Sequence, residues 1–147
     1  GVVNPRAAVT LRAPADDESE VNDDVKWLTS AQRLAQLGHP ATVEATIDRY
    51  EDPDDVIAVT MRRGERLRVR LTYRRGVADL YLWRPGTTTV GTRRATYRRN
   101  LIRYVGGGRK SKTIVYQAKK NGRHFVNVFA RRGGGDYTVT IERLGPR

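Results

Sequence analysis

Arg66-Leu67-Arg68-Val69-Arg70-Leu71 alternates charged and apolar residues without a break, and this stretch decides the fold. One side chain in two on each face is the period of an extended strand, and a helical period does not fit it. Leu67, Val69 and Leu71 are predicted to face a core, and Arg66, Arg68 and Arg70 to face outward. Moving outward along the chain, the same signal recurs. Val43, Ala45 and Ile47 alternate with polar residues, Val56-Ile57-Ala58-Val59 is a short apolar run, and Ala78 to Trp83 is another. A weaker strand signal covers 95–104, and stronger ones cover 113–118, 123–130 and 136–143. Turn residues punctuate them: Arg62-Arg63-Gly64-Glu65, Arg84-Pro85-Gly86, Lys120-Asn121-Gly122 and Gly133-Gly134-Gly135. Seven or eight short strands at this spacing predict an all-β domain over 42–147, an antiparallel β-sandwich of jelly-roll-like type. No helix-length pattern interrupts them, which argues against a parallel βαβ architecture. Residues 105–112, with Gly106-Gly107-Gly108 followed by Arg109-Lys110, read as a mobile loop.

Upstream of the strands the texture changes. Residues 1–13 are small and apolar, with Asn4-Pro5 suited to open a short helix carrying Ala7, Ala8 and Leu11, and Pro14 ending it. Residues 16–24 form an acidic run that reads as an exposed linker. Trp27, Leu28, Ala31, Leu34 and Ala35 fall near helical spacing within 25–37, and Gly38-His39-Pro40 stops that helix. The segment 14–41 is therefore expected to be an acidic linker with a short helix. The chain opens on Gly1, so a processed or excised piece is expected, and no run approaches the roughly 18–20 apolar residues of a membrane span.

Composition narrows the chemistry. There is no cysteine, which excludes disulfides, thiolate metal sites and cysteine nucleophiles. Residues 1–60 hold 5 Lys and Arg against 12 Asp and Glu, a net of −7, while residues 61–147 hold 23 against 4, a net of +19. Such a division implies two different electrostatic roles, or one acidic site beside a basic surface. The serines are Ser19, Ser30 and Ser111, and the histidines are His39 and His124. None of the serines lies in a Gly-x-Ser-x-Gly or Gly-Thr-Ser setting, so a self-contained serine mechanism is not supported. The domain is expected not to be an enzyme.

The stretch Asp52-Pro53-Asp54-Asp55-Val56-Ile57-Ala58-Val59, then Gly64 and Leu67-Arg68-Val69, resembles the opening of the bacterial pre-peptidase C-terminal domain. Ala78-Asp79-Leu80-Tyr81-Leu82 is similar to that family's next strand. Gly122-Arg123-His124-Phe125-Val126-Asn127-Val128 followed by Gly135-Asp136-Tyr137-Thr138-Val139 is similar to its closing hairpin. The likeness spans about residues 18–143. It departs at Ile57, where the family usually has an aromatic residue, and in a basic insertion around 91–112. A second resemblance touches Gly1-Val2-Val3-Asn4-Pro5-Arg6-Ala7-Ala8-Val9, which looks like the last helix of a subtilisin-like serine peptidase domain. Together these imply that 1–13 is the remnant of a preceding peptidase domain. They further imply a parent that is an extracellular, secreted serine endopeptidase, with this chain as its non-catalytic accessory domain, acting in substrate or surface binding or in secretion and stability of the parent.

Two candidate sites follow. Glu18, Glu20, Asn22 and Asp23 place oxygen ligands within six residues, and Asp52 and Asp55 add two from a turn; Ca²⁺ takes six to eight hard oxygen ligands. The pattern resembles the calcium-binding segment of bacterial collagenase accessory domains, which implies a structural Ca²⁺ pinning linker to sandwich. The alternative is a solvated acidic linker beside an ordinary Asp-Pro-Asp turn. The second candidate is a binding surface of Tyr81, Trp83 and Tyr116 with Arg66, Arg68 and Arg70, Trp83 being equally readable as core. Its expected partner is an extracellular protein or an anionic polymer. Arginine interleaved with aromatics also serves single-stranded nucleic acid, so the alternative function is a basic polyanion- or nucleic-acid-binding β domain, although no nucleic-acid-binding motif is present.

Overall fold

Alternation and short apolar runs become eight strands: β1 (Ala41–Asp48), β2 (Asp54–Met61), β3 (Arg66–Tyr73), β4 (Val77–Trp83), β5 (Leu101–Val105), β6 (Ser111–Gln117), β7 (Gly122–Arg132) and β8 (Gly134–Leu144). They are seen in a computed structural model that describes residues 40–91 and 98–145. The expected peptidase remnant, acidic linker and helix over 25–37 lie outside the described residues. The strands form two four-stranded sheets, in the orders β1-β8-β3-β6 and β2-β7-β4-β5, antiparallel throughout. The β-sandwich is as the alternation predicted. Among the described residues no helix is long and apolar enough to cross a membrane.

Among the described residues, β4 and β5 are the only consecutive strands that share a sheet; every other connection there crosses from one layer to the other. This corrects the expected closing hairpin, because β7 and β8 lie in different sheets. Gly133 alone joins them, at a φ of 63°, a conformation that a side chain disfavours. A Cβ at the adjoining Gly134 would stand 2.4 Å from the Ile47 carbonyl oxygen. The three glycines thus make a corner where the chain passes between layers, not a loop on one of them. The strand signal over 95–104 is realised only in β5, residues 98–100 being helical.

Between the sheets, Leu67, Val69 and Leu71 of β3 are 0% exposed and meet Leu80, Val126 and Val128 from the facing layer. Each fully buried aliphatic side chain of this kind stabilises the fold by roughly 1.5–3 kcal/mol. Met61, Tyr73, Ile114, Tyr137, Val139 and Ile141 complete the same core. A second cluster, Val56, Ala58, Tyr81, Trp83 and Phe125, is buried on the opposite face of the β2-β7-β4-β5 sheet, with Val90, Leu101 and Phe129 packed against it.

Of residues 105–112, expected to be a mobile loop, Val105 ends β5 and Ser111 and Lys112 open β6, and the residues between them are tied down. The Tyr73 hydroxyl donates to the Arg109 carbonyl (2.9 Å), Lys110 Nζ to the Gly76 carbonyl (2.9 Å), and Lys112 Nζ to the Gly107 carbonyl (2.6 Å).

Candidate functional site

Strand parity sorts the predicted binding residues onto three different surfaces. Arg66, Arg68 and Arg70 lie on the outer face of β3, as alternation requires, in rows completed by Leu144 and Gln117, Glu142 and Val115, and Thr140 and Thr113. Arg68 pairs with Glu142 at 3.1 Å, while Arg66 and Arg70 make no ion pair among the described residues.

Tyr81 and Trp83 do not join that face: the expectation that Tyr81 is exposed is corrected, and of the two readings of Trp83 it is the core one that the structure shows. Trp83 is 1% and Tyr81 6% exposed. Their rings stack at 5.8 Å with 14° between planes, and Tyr104 lies 4.8 Å from Tyr81. The cause is that β4 is buried on both faces, so its outward residues are core as well. Tyr116 sits opposite Leu67 on the inward side of β6, half-buried at the end of the sandwich, with its ring 5.6 Å from that of His124.

Of the predicted metal ligands, Glu18, Glu20, Asn22 and Asp23 lie outside the described residues. Asp52 is half-buried in a turn closed by two backbone hydrogen bonds with Asp48 (2.8 and 3.1 Å). Asp55 is fully buried, and its Oδ2 accepts a hydrogen bond from the Tyr137 hydroxyl at 2.5 Å. Asn127 Nδ2 donates to Asp54 Oδ1 (3.0 Å) and to the Asp55 carbonyl (3.1 Å). Asp52 carries its carboxylate on this turn, whereas the Asp55 carboxylate already holds a buried phenol. Among the described residues no three acidic or histidine side chains converge on a metal position.

Ser111 and His124 are the serine and histidine among the described residues, and they are not partners. Ser111 is exposed at the start of β6, five positions before Tyr116, the neighbour of His124. Five residues of extended chain put about 17 Å between the two ends.

Two charged arrangements were not legible in the sequence. At one end of the sandwich Lys112, 2% exposed, donates to the Tyr73 hydroxyl (2.8 Å) and to the Ala78 and Gly107 carbonyls, with Asp79 Oδ1 4.0 Å away. Asp79 is itself buried, and its Oδ2 pairs with Arg131 at 2.6 Å. Arg131 also donates to the Tyr104 hydroxyl, and burial, then the Asp79 carboxylate, raise that phenol above its ordinary 10.0. Lys112 shares its strand parity with the inward-facing Ile114 and Tyr116, and only its charge reads as surface.

At the other end lies a cleft of about 320 Å³. Pro85, Leu101, Ile102, Tyr116 and the buried His124 form its body, and Arg84, Arg103, Lys119 and Lys120 its cationic lining. The His124 Nδ1 is 3.2 Å from the Gly122 carbonyl oxygen. A carbonyl only accepts, so Nδ1 carries the ring proton and Nε2 presents a lone pair. Nε2 is buried and has no hydrogen-bond partner among the described residues. Burial holds His124 below its ordinary 6.5, the Gly122 hydrogen bond opposing this in part.

No protein-family model and no curated protein matches the sequence. The fold does have solved counterparts. A periplasmic inhibitor of g-type lysozyme, PliG from Aeromonas hydrophila, superposes with a TM-score of 0.54 at 12% identity, covering 76% of this chain and 95% of its own. The pre-peptidase C-terminal domain of collagenase from Bacillus anthracis superposes with a TM-score of 0.54 at 14% identity, covering 75% and 93%. Identities this low establish a shared fold, and the chain is thus a β-sandwich of the kind seen in a collagenase accessory domain and in a lysozyme inhibitor.

Proposed function

We propose that this chain is the non-catalytic accessory domain of a secreted subtilisin-like serine peptidase and binds the enzyme's substrate or a surface through the exposed face of the β1-β8-β3-β6 sheet. The observation that carries the reading is the sandwich, whose match covers 93% of a domain named for its attachment to a collagenase. The separation of Ser111 from His124 favours a role without chemistry of its own. Arg66 and Arg70, free of ion pairs among the described residues, supply charge, and Thr140 and Thr113 beside Arg70 supply hydroxyl donors, on a face where Val115 is a well-exposed large apolar side chain. An antibody to this domain, applied to cell-free culture medium of the source organism, tests it. The expected result is a band heavier than the domain that also labels with a fluorophosphonate serine-hydrolase probe. Recovery of the domain only inside cells, on a chain that does not label, overturns the reading.

A structural Ca²⁺ belongs to the same proposal, held by Asp52 with Glu18, Glu20, Asn22 and Asp23, the ion serving to fasten the acidic segment to the sandwich. Because the Asp55 carboxylate holds Tyr137, its substitution loosens the fold with or without metal, and Asp52→Asn is the diagnostic change. Melting with millimolar Ca²⁺ rather than EDTA is expected to raise Tm by several degrees in the wild type and not in Asp52→Asn. Equal melting of the wild type in both buffers returns the acidic run to a solvated linker.

A further inference from the structure

The cleft between the β4–β5 connection and the β6–β7 turn gathers four cationic side chains, Arg84, Arg103, Lys119 and Lys120, and none of them makes an ion pair among the described residues. No carboxylate lines it among the described residues either. Like charges brought together in this way repel, and a compensating anion relieves the repulsion.

The walls are held in place by the backbone. The Arg84 amide donates to the Asn100 carbonyl (2.9 Å), and the Thr87 hydroxyl closes the turn by donating to the Arg84 carbonyl (2.7 Å). On the other wall, the Ala118 amide donates to the Glu65 carbonyl (2.8 Å) and the Arg63 amide to Asn121 Oδ1 (2.8 Å), which fixes the turn that carries Lys119 and Lys120. The walls meet where Gly122 packs on Pro85 so closely that a Cβ would stand 2.8 Å from the proline ring. At the base is His124, fully buried, whose Nε2 is the polar atom there without a partner among the described residues.

We propose that this cleft is an oxyanion site for a phosphate or sulfate ester carried on a saccharide, with the four cations as counter-charges and His124 Nε2 donating to an ester oxygen once the ring is protonated. Size and lining choose the ligand. About 320 Å³ is at the lower end of small-ligand sites and takes one or two sugar units. Pro85, Leu101 and Ile102 offer apolar contact to the C–H face of a sugar ring. A nucleobase needs an open aromatic face for stacking, and the Tyr116 ring is half-buried against His124. The charged and titratable groups that line the cleft with His124 are Arg84, Arg103, Lys119, Lys120 and the Tyr116 phenol, with no acid among those described, so the bound anion is what favours the imidazolium. Binding therefore takes up a proton. This site is independent of whether the domain is joined to a peptidase.

The test is calorimetry on the 147-residue chain at constant ionic strength, with inorganic phosphate, inorganic sulfate, a sulfated disaccharide and its unsulfated form, and a short single-stranded oligonucleotide. The sulfated disaccharide is expected to bind at least about tenfold more tightly than either free ion or the unsulfated sugar. Lys119→Ala with Lys120→Ala is expected to weaken it about tenfold, whereas Arg74→Ala with Arg109→Ala, the same loss of charge at the opposite end, changes it less than about twofold. In ¹⁵N spectra of the imidazole rings, the His124 Nε2 signal is expected to move to the imidazolium range on binding at pH 6. Equal weakening by the two double variants reduces the cleft to general charge and overturns the site. An oligonucleotide that binds as tightly overturns the saccharide assignment, and an unmoved His124 signal overturns the role of Nε2.

Discussion

In the β1-β8-β3-β6 sheet one face is dry and the other carries arginines and threonines; in the centre of the β2-β7-β4-β5 sheet both faces are dry. β3 alternates buried and accessible residues along most of its length, whereas β4 is buried at every position after Val77. Two sheets of one domain thus obey different sequence rules. A half-wet sheet needs polar residues at every second position, and a sheet covered on both sides reads as a continuous apolar run. Binding surfaces sought among exposed side chains belong to the first sheet or to the ends of the sandwich.

The sharpest way to break this comparison is Trp83→Ala. If the outer face of β4 is core, truncation of a side chain 1% exposed costs about 3–5 kcal/mol in denaturant unfolding. A cost under about 0.5 kcal/mol would falsify the doubly covered sheet and return Trp83 to the surface. Next comes Lys112→Met, which tests the charge that ties the β5–β6 loop to the sandwich end. Loss of its Nζ leaves Tyr73, the Ala78 and Gly107 carbonyls and Asp79 without that cation, at an expected cost of about 3 kcal/mol. A neutral or stabilising result identifies the lysine as replaceable packing.

His124 gives a smaller and pH-dependent effect. Its native pKa is depressed, so the unfolded chain binds the proton more readily between the native value and 6.5. The stability it contributes is complete above 6.5 and is lost as pH falls through 6.5 towards the native value, by up to about 1.4 kcal/mol per pH unit. Melts of the wild type and His124→Gln from pH 8 to pH 5 should differ in slope below 6.5; parallel curves mean that the ring is not held neutral. Arg68→Ala is the smallest, at about 0.5 kcal/mol or less, because the Arg68–Glu142 pair is about 40% exposed on both sides. A larger loss would make the wet face a structural surface.

How much was legible follows the same division. Leu67, Val69 and Leu71 were assigned inward by alternation alone, and the strand boundaries around them follow from the turns. Tyr81 was misread, and Trp83 left between surface and core, because Ala78 to Trp83 does not alternate, and that continuity was itself the signal of burial on both faces. The hairpin expected at Gly133-Gly134-Gly135 failed for another reason: glycines mark a sharp change of direction, and which layer the next strand joins depends on distant partners. The charged end groups were hidden more deeply. Lys112, Asp79 and His124 acquire their partners from strands that are remote in sequence, and their polarity alone reads as surface even where strand position points inward.

The pairing of the first and last strands has a consequence for how the molecule is made. Ala41 stands opposite Ile141, and β8 also supplies the neighbour that β3 needs. With almost every connection crossing between layers, few contacts form between neighbours in sequence, a topology associated with slow folding. During synthesis or passage through a pore from the N-terminus, β1 and β3 wait unpaired on their β8 sides until the final strand appears. β8, the strand of this sheet that emerges after the other three, therefore acts as a keystone: its arrival joins β1 to the β3-β6 pair in one late step.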